Sequence, residues 1–289
     1  HTPIRRQRQM CIRDRFLRAV RLNDSLHASW LSIVKLADGN EKLLKMCDEN
    51  IYYLKNLPPE LKTVLSYTNE GKLAKADHIC RDYLQKKPHD VEAMRLLSKI
   101  ALELYIFEDA EFLLESCLVF DPENIKVKHD YITALLRRQK YGLALETAKD
   151  LYSSNPEELV AMKLYATTLF RADMYEESIK LFETVLEIEP RNTDVMLTMG
   201  HLYKTDGQID KSIDSYINAF AMDKYFGDAY WSLANLKTYR FTNKQIQSLQ
   251  EMVKDEFVPD EEKVFMYFSL GKAYEDMGCL LYTSPSPRD

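Results

Sequence analysis

Side chains able to do chemistry are plentiful in this chain, but their spacing builds no catalytic centre. Adjacent carboxylates at Glu157-Glu158 and Glu176-Glu177 are the residue type of a general acid/base pair. Both stand where a helix is expected to begin, and acidic side chains there favour the positive end of the helix dipole. They read as solvated acids. Asp206-Gly207 has the look of part of a calcium loop, yet the alternating oxygen ligands such a loop needs are missing, so it reads as a turn. The six histidines form no HExxH and no other metal-ligand spacing. No GxGxxG or GxxxxGK[ST] loop is present to cradle a phosphate. Catalytic and metal residues are therefore expected to be absent, and no cofactor is expected in this chain.

The cysteines, at 11, 47, 80, 117 and 279, include no CxxC pair and are odd in number. That count supports neither a zinc ribbon nor a disulfide framework and fits free thiols in a reducing compartment. No apolar run reaches the ~18 residues of a membrane span, and the amino end has no signal-peptide core. Asn23-Asp24-Ser25 matches a glycosylation acceptor only formally in that setting. The expected location is the cytoplasm.

Along the sequence, the two ends differ from the rest. HTPIRRQRQMCIRDR is arginine-rich without helical periodicity, and CLLYTSPSPRD closes on a Ser-Pro tract. The first could be a nucleic-acid-binding arm or import signal, or simply a disordered tail. Both ends also resemble adaptor-derived peptides, and segments 1–15 and 279–289 are set aside as non-native or disordered. The net charge is −6 for the whole chain and −10 without residues 1–15 and 280–289. So acidic an array is not expected to bind nucleic acid along its surface.

Between the ends, a spacing organises everything. Pro88, Pro122, Pro156 and Pro190 stand 34 residues apart, with Lys224 in the next place. Five repeats follow from it, 57–90, 91–124, 125–158, 159–192 and 193–226, with divergent segments at 16–56 and 227–278. Each repeat has two amphipathic halves with apolar residues at i, i+3, i+4 and i+7. Small residues at repeat positions 8 and 20 should let the two helices approach closely: Ala166 with Ser178, Gly200 with Ser212 and, in part, Ser98 with Ala110. Val64 and Ile132 are bulky at position 8, which is expected to splay their pairs. The proline at position 32 should end one helix and begin the next. In the last segment Leu270, Gly271, Tyr274 and Gly278 repeat the spacing of Met199, Gly200, Tyr203 and Gly207, so a final repeat is expected to start at Val264 and to lack its second helix. Thr242 or Asn243 is expected to cap one helix, and Pro259 with Asp260, Glu261 and Glu262 to start another.

This register resembles the tetratricopeptide repeat (TPR) family across 16–278. The resemblance implies an all-α fold, a right-handed superhelical solenoid of antiparallel helix pairs. It also implies that positions 2, 5, 9, 12 and 13 of each first helix line a concave groove. Here those positions carry Arg95, Lys99, Lys126, His129, Arg137, Lys163, Arg171, His201 and Lys204, then Trp231, Asn235 and Tyr239. Glu92, Glu103, Asp194 and Asp228 share them. The face is basic on balance in the second to fourth repeats, so the implied partner is a protein or peptide, an acidic one by charge. Trp231 could anchor a partner or pack between helices. Reversing Arg95, Lys99 and Lys163 to glutamate is expected to weaken an acidic peptide while leaving helicity intact. Residues 229–278 further resemble the junction of bacterial proteins that join a TPR array to a sulfotransferase domain using 3′-phosphoadenosine 5′-phosphosulfate. That resemblance implies a substrate-presenting scaffold whose catalytic domain lies outside this chain; a free-standing assembly scaffold is the alternative.

Overall fold

A computed structural model describes residues 12–278 apart from 14, 18, 21, 22 and 38. The end segments 1–11 and 279–289, including Cys11 and Cys279, lie outside the described residues. Helix is already present at Ile12, Arg13 and Arg15, ahead of the expected start at Phe16. The helices that follow are α1 (His27–Leu36), α2 (Glu41–Asn56), α3 (Pro59–Asn69), α4 (Leu73–Lys86), α5 (Val91–Glu103), α6 (Phe107–Phe120), α7 (Ile125–Arg137) and α8 (Tyr141–Ser154). After them come α9 (Leu159–Arg171), α10 (Tyr175–Ile188), α11 (Thr193–Thr205), α12 (Ile209–Met222), α13 (Gly227–Ala234), α14 (Asn243–Met252) and α15 (Asp260–Asp276). No strand occurs among the described residues. The described residues form two compact bodies, one up to Thr147 and one from Ala148 onward, and the division falls inside α8.

The five repeats map onto the pairs α3/α4, α5/α6, α7/α8, α9/α10 and α11/α12. The proline at position 32 stands in the turn and not inside the following helix, because each first helix starts three residues later. The residue at position 34 caps that helix instead. Asp90, Asn124 and Asn192 accept from the backbone N–H of Ala93, Val127 and Val195 at 2.9, 3.2 and 3.1 Å. Each cap satisfies an amide that has no partner within the helix. Glu158, at the same place, makes no side-chain cap.

Inside each pair the turn demands a left-handed residue at position 15. Gly71, Tyr105, Gln139, Asp173 and Gly207 have φ of 71°, 61°, 59°, 61° and 80°. Only two of the five are glycines, so the geometry is imposed by the packing of the two helices at some steric cost. Gly278, in the turn after α15, also has a positive φ, 74°.

Close approach within pairs is directly visible. The Ser178 hydroxyl donates to the Ala166 carbonyl at 2.7 Å, and Ser212 donates to the Gly200 carbonyl at 2.8 Å. A position-20 serine thus satisfies itself on the backbone of the facing helix. Gly200 is required because its carbon lies against the Tyr216 ring, itself fully buried. Val64 and Ile132 are also fully buried, so the bulky position-8 residues are absorbed into the core.

The core of the N-terminal body joins Trp30, Ile33, Leu54, Leu61, Val64, Leu96 and Ile100 in one cluster. Glu111, 3% exposed, ties α6 to the turn after α7 through Arg138 and Lys140, each at 2.5 Å. In the C-terminal body, Met162, Phe182, Val195, Met199 and Leu202 form one cluster, and Tyr230, Leu249, Met266 and Leu270 form another. The sixth first helix stops at Ala234, short of the expected end near Tyr239. Thr242 then caps α14 in a reciprocal box with Gln245, and Pro259 precedes the acidic first turn of α15 as expected.

Candidate functional site

In the N-terminal body a few groove positions of the register meet at one cavity, with Lys126 alone among the expected site residues. Pro58, Glu92 and Lys126 (position 2) and Leu61 (position 5) line one open cavity of about 520 Å³. The end of α2 completes it with Glu49, Tyr52, Tyr53 and Asn56, and Leu57 and Asp90 close the remaining side. The α2 contribution was invisible to the register, because residues 40–56 do not carry the small-residue signature of the repeat. The only sequence signal was the tyrosine pair itself.

Arg95 is not a free groove cation. Its side chain is 12% exposed and bonded to Glu92 at 2.6 Å and to Asp130 at 2.7 Å. Tyr53 donates to Glu92 at 2.5 Å, and the His129 ring meets Asp130 at 3.2 Å. Burial would raise the Asp130 pKa, but the hydrogen bond from His129 and the Arg95 charge outweigh it and hold the carboxyl below its ordinary value. Burial and the neighbouring Glu92 push the Tyr53 phenol well up, so it stays a neutral donor. Lys126 is exposed and stands over the Tyr53 ring, 4.2 Å from its centre, a favourable cation–π contact. Lys99 is half-buried and Arg137 is exposed.

In the C-terminal body, Lys163 faces Glu189 at 3.7 Å. Arg171 is exposed beside the Phe170 ring, 5.8 Å away, and Lys204 is exposed. His201 is half-buried and shares a 2.9 Å hydrogen bond with the Tyr216 hydroxyl. Burial lowers its pKa. Through that bond the ring holds the core tyrosine. Trp231 packs in part. It leans on the Phe268 ring, centroids 5.4 Å apart, and remains partly exposed. Asn235 is exposed, while the Tyr239 hydroxyl accepts from Gln245 at 2.7 Å.

The residues that could have suggested catalysis sit as solvated or turn groups. Glu176 and Glu177 occupy the first turn of α10, Glu158 precedes α9, and Asp206 and Gly207 form a helix-ending turn. Cys47, Cys80 and Cys117 are buried and unbonded to one another. Burial raises the thiol of Cys80 to about 12 and that of Cys117 to about 12. Among the described residues no three His, Cys, Asp or Glu side chains converge on a possible metal position. None of the described helices is long and apolar enough to cross a membrane.

No protein-family model matches the chain, and no curated protein matches it. Solved structures do. A thermophilic TPR protein, TTC0263 of Thermus thermophilus, matches at TM-score 0.52 and 16% identity, over 59% of this chain and 93% of that one. MamA (41-end) from Desulfovibrio magneticus RS-1 matches at TM-score 0.50 and 13% identity, over 57% of this chain and 93% of its own. At these identities the likeness concerns the fold. The chain has the all-α fold of TPR proteins, a solenoid of helix pairs.

Proposed function

We propose that this chain is a noncatalytic scaffold that holds a protein or peptide partner against the face formed by its first helices. One observation carries the reading: the groove positions of three successive first helices converge, with α2, on a single open cavity of about 520 Å³. Such a cavity offers apolar walls and a few fixed polar groups, the usual make-up of a recognition pocket. The exposed cations Arg171 and Lys204, with Lys163, would favour acidic stretches of the partner at the C-terminal body. The junction-like sequence at 229–278 favours a substrate-presenting role beside a sulfotransferase domain, with 3′-phosphoadenosine 5′-phosphosulfate bound by that domain and not by this chain. A cytoplasmic setting fits the buried free thiols.

The test is to pan a displayed peptide library over the full chain and map the selected peptides by chemical-shift changes. Perturbations on first-helix residues are expected; peptides that perturb only second-helix surfaces, or no selection at all, would refute the scaffold reading. For the acidic preference, Arg171→Glu and Lys204→Glu should weaken acidic peptides while circular dichroism stays unchanged. Reversing Arg95 is unsuitable for that purpose, because it would set a third carboxylate against Glu92 and Asp130. The sulfotransferase link is tested by adding a matching catalytic domain in trans and measuring sulfate transfer to peptides the scaffold has selected.

A further inference from the structure

The cavity in the N-terminal body has a charge that the sequence register did not suggest. Read from groove positions alone, this face looked basic. In the fold, Arg95 is enclosed between Glu92 and Asp130, which leaves one negative charge over. Glu49 and Asp90 add two more at the cavity wall, against the single ammonium of Lys126. Among the residues that line the cavity, the three carboxylates Glu49, Asp90 and Glu92 therefore face one cation, Lys126. Lys126 already demonstrates the binding mode, its ammonium resting 4.2 Å from the centre of the Tyr53 ring. The neighbouring ring, Tyr52, is 73% exposed at the rim and has no such cover among the described residues. Beneath the rings, Leu57, Pro58 and Leu61 supply an apolar wall.

We infer that this cavity is a pocket for an arginine side chain of the partner, its aliphatic stem against Pro58 and its guanidinium between the Tyr52 ring and Glu49. The inference rests on the scaffold reading and narrows its ligand. One physical feature selects arginine over lysine, and two more favour a long cation over other side chains. A planar guanidinium stacks on an aromatic face, whereas the compact ammonium of lysine prefers full hydration. The stem of arginine buries apolar surface while its head stays polar. The net negative charge of the wall attracts cations and repels the acidic side chains that suit the C-terminal body. The carboxylates are also differently placed for the task. Asp90 is occupied as the cap of α5 and as acceptor of the Tyr83 hydroxyl at 2.9 Å, so it contributes field. Glu49, exposed on the outer turn of α2, is the group left to accept a bidentate pair.

The experiment uses the full chain and three probes: Nα-acetyl-arginine methylamide, its citrulline isostere and its glutamate counterpart, each titrated by nuclear magnetic resonance. The arginine probe is expected to shift Glu49, Tyr52, Tyr53 and Leu61 signals, and the two others to leave them in place. Glu49→Gln and Tyr52→Ala, both at exposed positions, should each weaken the arginine probe roughly threefold to tenfold. Raising the salt concentration should weaken it further in the parent and less in Glu49→Gln. Equal binding of citrulline or glutamate, or unchanged affinity in both variants, overturns the arginine pocket. The library selection separates this failure from that of the scaffold. Peptides selected on the first-helix face but indifferent to Glu49→Gln and Tyr52→Ala sink the pocket and leave the scaffold standing. Absence of any selected peptide sinks both.

Discussion

Gly200→Ala puts two opposed effects on one atom, and the structure says which wins. Gly200 lies inside α11, where alanine is the better helix former by about 1 kcal/mol. On propensity alone the substitution stabilises. But a Cβ at this position would fall within 3.0 Å of three ring atoms of Tyr216. That ring cannot give way, since Tyr216 is 0% exposed and its hydroxyl is bonded to His201 at 2.9 Å. Separation of α11 from α12 would relieve the overlap, at the expense of the Ser212 hydroxyl bond to the Gly200 carbonyl. Overpacking of this kind costs about 1–3 kcal/mol, and an overlap with three rigid atoms belongs at the upper end. The net expectation is a loss of about 1–2 kcal/mol. Gly271 provides the control. It is also inside a helix, α15, but nothing lies within 4 Å of its would-be Cβ, so Gly271→Ala should gain about 0.5–1 kcal/mol. The assay is urea unfolding followed by the fluorescence of Trp231 in a Trp30→Phe background, since these are the two tryptophans of the chain. Trimming the ring with Tyr216→Leu should remove most of the Gly200→Ala penalty, a coupling of about 1 kcal/mol or more. Gly200→Ala as stable as its parent, or a penalty unaltered by Tyr216→Leu, would refute the argument from close helix approach.

Four further outcomes follow from the same geometry. Arg95→Ala should destabilise the N-terminal body by about 1.5–3 kcal/mol, because the half-buried Glu92 and Asp130 lose their shared cation and keep only Tyr53 and His129 as partners; urea midpoints check it, and a neutral result would place Arg95 in the groove after all. Asp130 and Glu111 both have pKa values held below the ordinary carboxylate value, each despite burial: His129 and Arg95 act on Asp130, Lys140 and Arg138 on Glu111. A depressed folded-state pKa adds stability above the unfolded value, about 3.9 for Asp and 4.3 for Glu, and that stability fades as pH falls through the depressed values. Unfolding free energy measured from pH 6 down to 2, each an assay condition set on the order of the carboxylate range, should drop in that window, and less steeply in Asp130→Asn or Glu111→Gln. Gly207→Ala, at φ 80°, should cost about 1 kcal/mol, whereas Gln139→Gly, at φ 59°, should be neutral or stabilising; thermal melts distinguish the two. Cys80 and Cys117 should resist a thiol reagent at pH 8, an assay condition roughly at the ordinary thiol pKa, until the chain is unfolded, because burial holds both thiols at about 12; fast labelling of either in the native state would contradict the packing.

The sequence by itself determined the repeat and the small-residue pairs Ala166 with Ser178 and Gly200 with Ser212. Periodicity suffices for these, because a 34-residue repeat of helix pairs brings equivalent positions into equivalent surroundings. Ser178 and Ser212 bonded to the facing backbone are what positions 8 and 20 required. The tertiary structure alone decided how charges on the first-helix face are spent. Arg95 and Asp130 belong to successive repeats and lie far apart in sequence, so their pairing, and with it the loss of a free cation, depends on how α5 and α7 pack. It also decided the walls of the cavity. Tyr52 and Glu49 sit on α2, outside the regular register, and reach the groove positions only because the core around Leu54, Leu57 and Leu61 lays that helix against α3. Local pattern fixes which residues are core and which are surface, because burial is set by helix periodicity. Which surface residues neutralise, cover or frame one another is a property of distances between helices, and no single repeat contains it.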